Sequence, residues 1–125
     1  MIIGIGTDII EIDRIEKAIN NNRSFLSKVF TKDELKQYND SKMRIESIAG
    51  NFAFKEAVSK AIGTGVKGFS LKDIEVFREL TGKPIVKVKE NVEKFIKSNS
   101  YKFHVSISHN RSNAIASLLL CDIDT

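Results

Sequence analysis

The chain has 125 residues, 42% apolar and 29% charged, with a formal net charge of +4 and one cysteine, Cys121. That suits one domain over 1–125 with one core and excludes a histone-like polycation and an internal disulfide; with only two histidines, a zinc centre is not expected either. The opening MIIGIGTDII is broken by Asp8 and followed by Glu11, Asp13 and Arg14, so a cytoplasmic protein with no targeting segment and no membrane span is expected.

Residues 2–9 read as a strand with Ile3, Ile5, Thr7 and Ile9 on one face and Gly4, Gly6 and Asp8 on the other. A face this bare admits another backbone or a ligand. Residues 12–20 suit a helix with Ile12, Ile15 and Ile19 inward, and a short helix is expected over Phe25–Phe30. Thr31-Lys32-Asp33-Glu34 has capping-box spacing and opens a helix to about Tyr38. The strongest helix runs over 46–62, where Ala49, Ala53, Ala57 and Ala61 form a row that lets it lie close to a sheet or another helix. Gly63 and Gly65 end it. Strands are expected over 70–78 and 84–89, joined at Thr81-Gly82-Lys83-Pro84, then a short helix over 91–97. Residues 101–108 alternate, with Tyr101, Phe103, Val105 and Ile107 against Lys102, His104, Ser106 and Ser108. After a turn at Asn110-Arg111, residues 113–121 are apolar on both faces and belong in the middle of a sheet. This order predicts an α+β fold, a mostly antiparallel sheet packed against helices.

Asp8 is the first residue that could do chemistry. A carboxylate inside an apolar strand needs a partner, hydrogen bonds or a cation; the alternative is an acid placed before a helix N-terminus. Glu56 and Lys60, at i and i+4, share one helix face at the border of its buried side. They read as an exposed ion pair or, beside Gly63-Thr64-Gly65, as part of a phosphate site in which Lys60 supplies the positive charge. Two carboxylates with phosphate oxygens and water suit Mg²⁺. Asp8 and Glu56 are therefore the candidate ligands, and with Lys60 the candidate catalytic set. His104 and Ser106 offer a phosphate contact or a proton carrier, or simply face solvent. Between Arg23 and Arg44 six cations, among them Lys28 and Lys42, meet three acids; the segment attracts an anionic partner or is a solvated helical surface. Gly4-Ile5-Gly6 lacks the third glycine of a dinucleotide fingerprint. RNA binding is a second reading of the basic surface, but no nucleic-acid motif is present.

Gly4-Ile5-Gly6-Thr7-Asp8-Ile9, then the segment from Phe52 to Gly65 with Lys55-Glu56 and Lys60, then Gly82-Lys83-Pro84, then His104-Val105-Ser106-Ile107-Ser108-His109 follow one another in an order and spacing that resemble the small class of 4′-phosphopantetheinyl transferases, the bacterial holo-[acyl-carrier-protein] synthases. The resemblance spans nearly the whole chain. It implies the 4′-phosphopantetheinyl transferase fold, usually as a homotrimer with sites between protomers. It also implies a reaction: Mg²⁺-dependent transfer of the 4′-phosphopantetheine arm of coenzyme A to a serine of apo-acyl carrier protein, releasing adenosine 3′,5′-bisphosphate. Asp8 and Glu56 resemble the Mg²⁺ ligands, and Lys60 the lysine on the pyrophosphate. His104 and Ser106 resemble residues near the 3′-phosphate, Gly82 and Pro84 the turn beside the adenine. Lys42 and Arg44 fall in a basic segment usually near the 3′-phosphate. Arg14, Arg23 and Lys28 with Phe25 suit docking of an acidic carrier protein. The family generally has arginine before the position of Phe52; here it is Asn51. For the serine's proton, both Glu56 and a water at the metal are candidates.

Overall fold

The computed structural model describes residues 1–64 and 67–123. The chain runs β1 (Ile2–Glu11), α1 (Ile12–Asn21), α2 (Phe25–Val29), α3 (Lys32–Asp40), α4 (Ile45–Ile62), a 3-10 turn (Leu71–Asp73), β2 (Ile74–Arg78), β3 (Pro84–Val88), α5 (Glu90–Glu93), β4 (Tyr101–His109) and β5 (Asn113–Asp122). The strands form two antiparallel sheets, one ordered β1-β5-β4 and the other the β2-β3 hairpin. The α+β architecture matches expectation, and β5 is central as its two apolar faces required.

The expected strand over 70–78 begins only at Ile74. Ser70 and Asp73 close a capping box on each other, with the Ser70 N–H donating to Asp73 Oδ2 at 2.9 Å, and this holds 71–73 in a 3-10 turn. The expected helix over 91–97 is cut to Glu90–Glu93, after which the chain continues in turns such as Phe95 N–H to the Val92 carbonyl. No described helix is long and apolar enough to cross a membrane.

α4 is the hub. Its alanine row is buried throughout; Ala53, Ala57 and Ala61 pack with Phe54 and Val58 between the two sheets against Ile74, Val76, Leu118 and Leu120, and Ala49 packs with Ile12, Ile15 and Ala114. The bare face of β1 explains how α4 lies so near. A Cβ on Gly4 would stand 1.9 Å from the Ala61 carbonyl oxygen, and one on Gly6 1.9 Å from that of Ala57. The glycine face therefore meets helix backbone, one of the two occupants that its bareness allowed. The opposite face of β1 is turned outward, leaving Ile5 68% and Ile9 62% exposed.

α3 fixes the second sheet by treating β2 as a strand would. Three side chains one turn apart reach its edge. The Glu34 carboxylate accepts from Val76 N–H at 2.9 Å, and the Tyr38 hydroxyl donates to the Val76 carbonyl at 2.8 Å. The Gln37 amide both accepts from Arg78 N–H and donates to its carbonyl. Backbone groups that would otherwise lie open on an edge are satisfied this way.

The expected capping box at Thr31 is present, with Thr31 N–H on Glu34 Oε1 at 2.9 Å. The same Oε1 accepts from Lys55 Nζ at 2.7 Å, and both side chains are fully buried. Lys55 also donates to the carbonyls of Val29 and Leu71 and lies over the Phe30 ring. Every donor of this buried ammonium has a partner, which is the condition for tolerating it. α3 and α4 are thereby locked in one relative rotation.

Candidate active site

β1 and α4 bring Asp8, Glu56 and Lys60 together. Asp8 follows Gly4 and Gly6 on the α4-facing side of its strand. It lies inside β1, three residues before the α1 cap at Glu11, so it serves no helix N-terminus. Lys60 Nζ donates to Asp8 Oδ1 at 2.9 Å and to the Thr7 carbonyl at 3.0 Å. The lysine thus pairs with the distant aspartate and leaves its helix neighbour Glu56 without that bond. Among the described residues the Glu56 carboxylate has no hydrogen bond or salt bridge, although it is partly buried. Burial foremost, then the charge of Asp8, pushes its pKa up, and Lys60 opposes this.

Such an arrangement is an incomplete charge set. Two carboxylates share a partly desolvated corner with one ammonium, and one carboxylate lacks a donor. An oxygen-preferring divalent cation fits these donors, and its remaining ligands would be phosphate oxygens and water. No group of three or more His, Cys, Asp or Glu side chains that could hold a metal alone occurs among the described residues. Ser59, one residue before Lys60, is buried and donates back to the Glu56 carbonyl at 2.6 Å. Gly63 ends α4 with φ +89°, a left-handed cap that suits glycine; Gly65 lies outside the described residues.

Gly82, Pro84, His104 and Ser106 lie elsewhere. Gly82 forms the β2-β3 turn with φ +91°. Pro84 and His104 line one cavity of about 470 Å³ with Lys83, Val86, Tyr101, Lys102, Phe103 and Val105. Two lysines and a histidine but no carboxylate face it, with Tyr101 and Phe103 alongside, which suits an anionic aromatic ligand. His104 and Ser106 point away from α4. They align in register with Leu119 and Ser117 of β5 and through them with Ile5 and Thr7 of β1. Asp8 and His104 therefore occupy opposite faces of the same sheet.

Of the basic residues, Lys42 is exposed with φ +52° and borders an apolar hollow with Leu26, Leu35, Tyr38, Met43 and Ile48. Arg44 caps α4 and stands 3.3 Å from Glu46, too poorly aligned for a hydrogen bond. The described contacts bring neither to the Asp8 corner nor to the His104 cavity. Arg14, Arg23 and Lys28 are exposed on α1, before α2 and on α2, whereas the Phe25 ring is half-buried against Phe52 at 5.9 Å. Asn51 is wholly buried, and its Oδ1 accepts from Arg78 Nε at 3.0 Å and Nη2 at 2.7 Å. Sequence reasoning passed over Arg78. Its place in a strand of mixed polarity gave no local sign that it reaches α4.

Known proteins resemble this chain over nearly all its length. The pattern of the 4′-phosphopantetheinyl transferase superfamily matches residues 4–118. A holo-[acyl-carrier-protein] synthase of Clostridium perfringens is 56% identical over 122 residues, 93% of this chain and 91% of the relative. The crystal structure of a holo-(acyl-carrier-protein) synthase from Bacillus anthracis in complex with CoA (3′,5′-ADP) superposes with a TM-score of 0.77 at 38% identity, covering 96% of each chain. That of Helicobacter pylori holo-[acyl-carrier-protein] synthase in complex with coenzyme A does so with a TM-score of 0.80 at 34% identity, covering 94% of this chain and 99% of the other. Fold, motif order and overall likeness agree: the chain belongs to the holo-[acyl-carrier-protein] synthases of the 4′-phosphopantetheinyl transferase superfamily.

Proposed function

We propose that the chain transfers the 4′-phosphopantetheine arm of coenzyme A to a serine of an apo-acyl carrier protein, in the cytoplasm and with Mg²⁺. The observation that carries the reading is the corner of Asp8, Glu56 and Lys60, where a carboxylate lacking a hydrogen bond stands beside an aspartate–lysine pair. The serine oxygen forms a bond to the β-phosphorus of coenzyme A. The bond from that phosphorus to the bridging oxygen breaks, adenosine 3′,5′-bisphosphate leaves, and the serine proton passes to a base. Asp8 and Glu56 would hold the Mg²⁺, which when bound stabilises charge on the phosphate oxygens. Lys60, on Asp8 and the Thr7 carbonyl, is within reach of a diphosphate beside that aspartate and adds positive charge where the transition state builds negative charge. Glu56 and a water at the metal are the two candidates to accept the serine proton.

The basic cavity of Pro84 and His104, with Gly82 at its turn and Ser106 further along β4, takes the nucleotide end. His104 stands on the sheet face opposite Asp8, so one chain offers two half-sites. Two neighbouring copies, one giving Asp8, Glu56 and Lys60 and the other His104, would complete a site. Exposed Ile5, Ile9 and Ile115 on the outer face support such an assembly, which we take to be a homotrimer. Arg14, Arg23 and Lys28, exposed at the surface, with the half-buried Phe25, would form the docking surface for the acidic carrier protein.

Mass spectrometry of apo-carrier protein after incubation with coenzyme A and Mg²⁺ tests the reading. One phosphopantetheine should be added per carrier. Asp8→Ala and Glu56→Ala should each lower the rate by about a hundredfold or more while circular dichroism stays native. Full activity in either variant overturns the metal assignment.

A further inference from the structure

Lys60 stands where a cation would. Its Nζ donates to Asp8 Oδ1 at 2.9 Å and to the Thr7 carbonyl at 3.0 Å, so one ammonium covers two oxygens of β1. Helix spacing favours Glu56, one turn earlier, as its partner. Yet the lysine pairs with Asp8, and among the described residues no salt bridge reaches Glu56. A magnesium ion seeks the same class of oxygen at ~2.1 Å. On the Asp8 oxygen that Lys60 holds, it would bring two positive charges within about 5 Å of each other, where they repel. Lys60 and the ion therefore compete for that oxygen.

The contact is also one that a ligand can undo. The Lys60 side chain is 55% exposed and that of Asp8 19%, and ion pairs open to solvent hold weakly. A four-carbon stem lets the ammonium swing while α4 stays in place. A diphosphate beside Asp8 offers it several charged oxygens in exchange for one carboxylate. Once Lys60 moves to them, Asp8 and Glu56 face the same phosphate oxygens with both carboxylates open, which is a donor set that suits the ion.

We propose that Lys60 is a gate on cation binding: it holds the cation's place on Asp8 until the diphosphate of coenzyme A draws it away, so the cation binds with or after coenzyme A. This rests on the transfer reading above and adds the order of binding to it. Because the coupling is a property of both equilibria, each ligand strengthens the other by the same factor.

The test is Mn²⁺ binding to the full-length protein, followed by the electron paramagnetic resonance of the unbound ion, with and without coenzyme A. Without coenzyme A, Lys60→Met should bind Mn²⁺ about fivefold more tightly than the wild type, or better. Coenzyme A should then raise the affinity more in the wild type than in Lys60→Met, since only the wild type has a gate to open. A lysine that serves the diphosphate alone predicts equal Mn²⁺ affinity for the two proteins without coenzyme A, and that result overturns the proposal. A lysine that stays on Asp8 and repels the ion from there would also give a tighter variant, so a second measurement uses the wild type. Under limited acetylation read by mass spectrometry, Mg²⁺ alone should raise the rate at Lys60 toward that of the exposed Lys97, because a displaced ammonium has lost its pair. An unchanged rate overturns the proposal. Asp8→Ala separates the two levels of the reading. If it binds Mn²⁺ as well as the wild type does in the presence of coenzyme A, the metal assignment falls and the gate with it. If it loses Mn²⁺ while Lys60→Met matches the wild type, the gate alone falls.

Discussion

Lys55 and Glu56 are neighbours in the chain, yet α4 turns them about 100° apart. Glu56 faces Asp8, while Lys55 is sealed between α3 and α4 on Glu34. Burial pulls the pKa of Lys55 down against the opposing pull of Glu34, so the ammonium depends on its partners. Lys55→Met leaves the Glu34 carboxylate buried without its cation, and breaking such a pair costs ~3–5 kcal/mol. Thermal unfolding followed by circular dichroism should show a fall in Tm of more than about 10 °C. Lys55→Met combined with Glu34→Gln should recover part of the loss, because no charge is stranded, although the one amide oxygen replaces only one of the two carboxylate oxygens that accept from Thr31 and Val76 N–H. A double variant no more stable than Lys55→Met alone would contradict this account. Neither role was legible locally. The Thr31–Glu34 spacing announced a capping box, which is present, but its second duty as counterion depends on a residue 21 positions away. Asn51 is similar: its identity stood out against the family pattern, and only the reach of Arg78 from β2 explains what it does.

Among the elements, the helices and strands near the site were readable because each has one period and one clear stop. The alanine row of α4 and the alternation of β4 are examples. Less legible was which face of β1 turns inward. Hydrophobicity alone favours burying Ile5 and Ile9, whereas the fold buries the glycines, because only a bare face accepts α4 at this distance. The arrangement makes a strong prediction. A Cβ at Gly6, 1.9 Å from the Ala57 carbonyl oxygen, meets helix backbone that has no flexible end to move. Gly6→Ala should therefore cost ~3 kcal/mol or more, above the usual range for overpacking, and shift α4 away from Asp8. Urea unfolding should show the lower midpoint with m unchanged, and any folded protein should be poorly active. By contrast Gly82→Ala meets no atom within 4 Å, so its cost comes only from a positive φ. If Gly6→Ala is as mild as Gly82→Ala, the close contact between α4 and β1 is wrong.

At the scale of the molecule, the decisive fact is that one sheet carries half of the proposed site on each face. Asp8 looks toward α4 and His104 away from it. Two groups so placed cannot meet on one small ligand unless a second copy brings its own His104 to the first copy's Asp8. A repeating contact of this kind joins two different patches, and such head-to-tail contacts close into rings. The exposed row of Ile5, Ile9 and Ile115 would give that proposed ring an apolar seam. Light scattering on the eluted protein should report three copies. Complementation is the stricter test. Asp8→Ala and His104→Ala proteins, each weakly active, are unfolded together and refolded as a mixture. If every site draws Asp8 from one copy and His104 from the next, random assembly leaves about a quarter of the sites with both residues intact, and activity rises to about that share of the wild-type rate. If a single chain holds both residues of its own site, mixing restores nothing. Ile9→Asp, which places a charge in the seam, should abolish both the trimer and the restored activity while each chain keeps its fold.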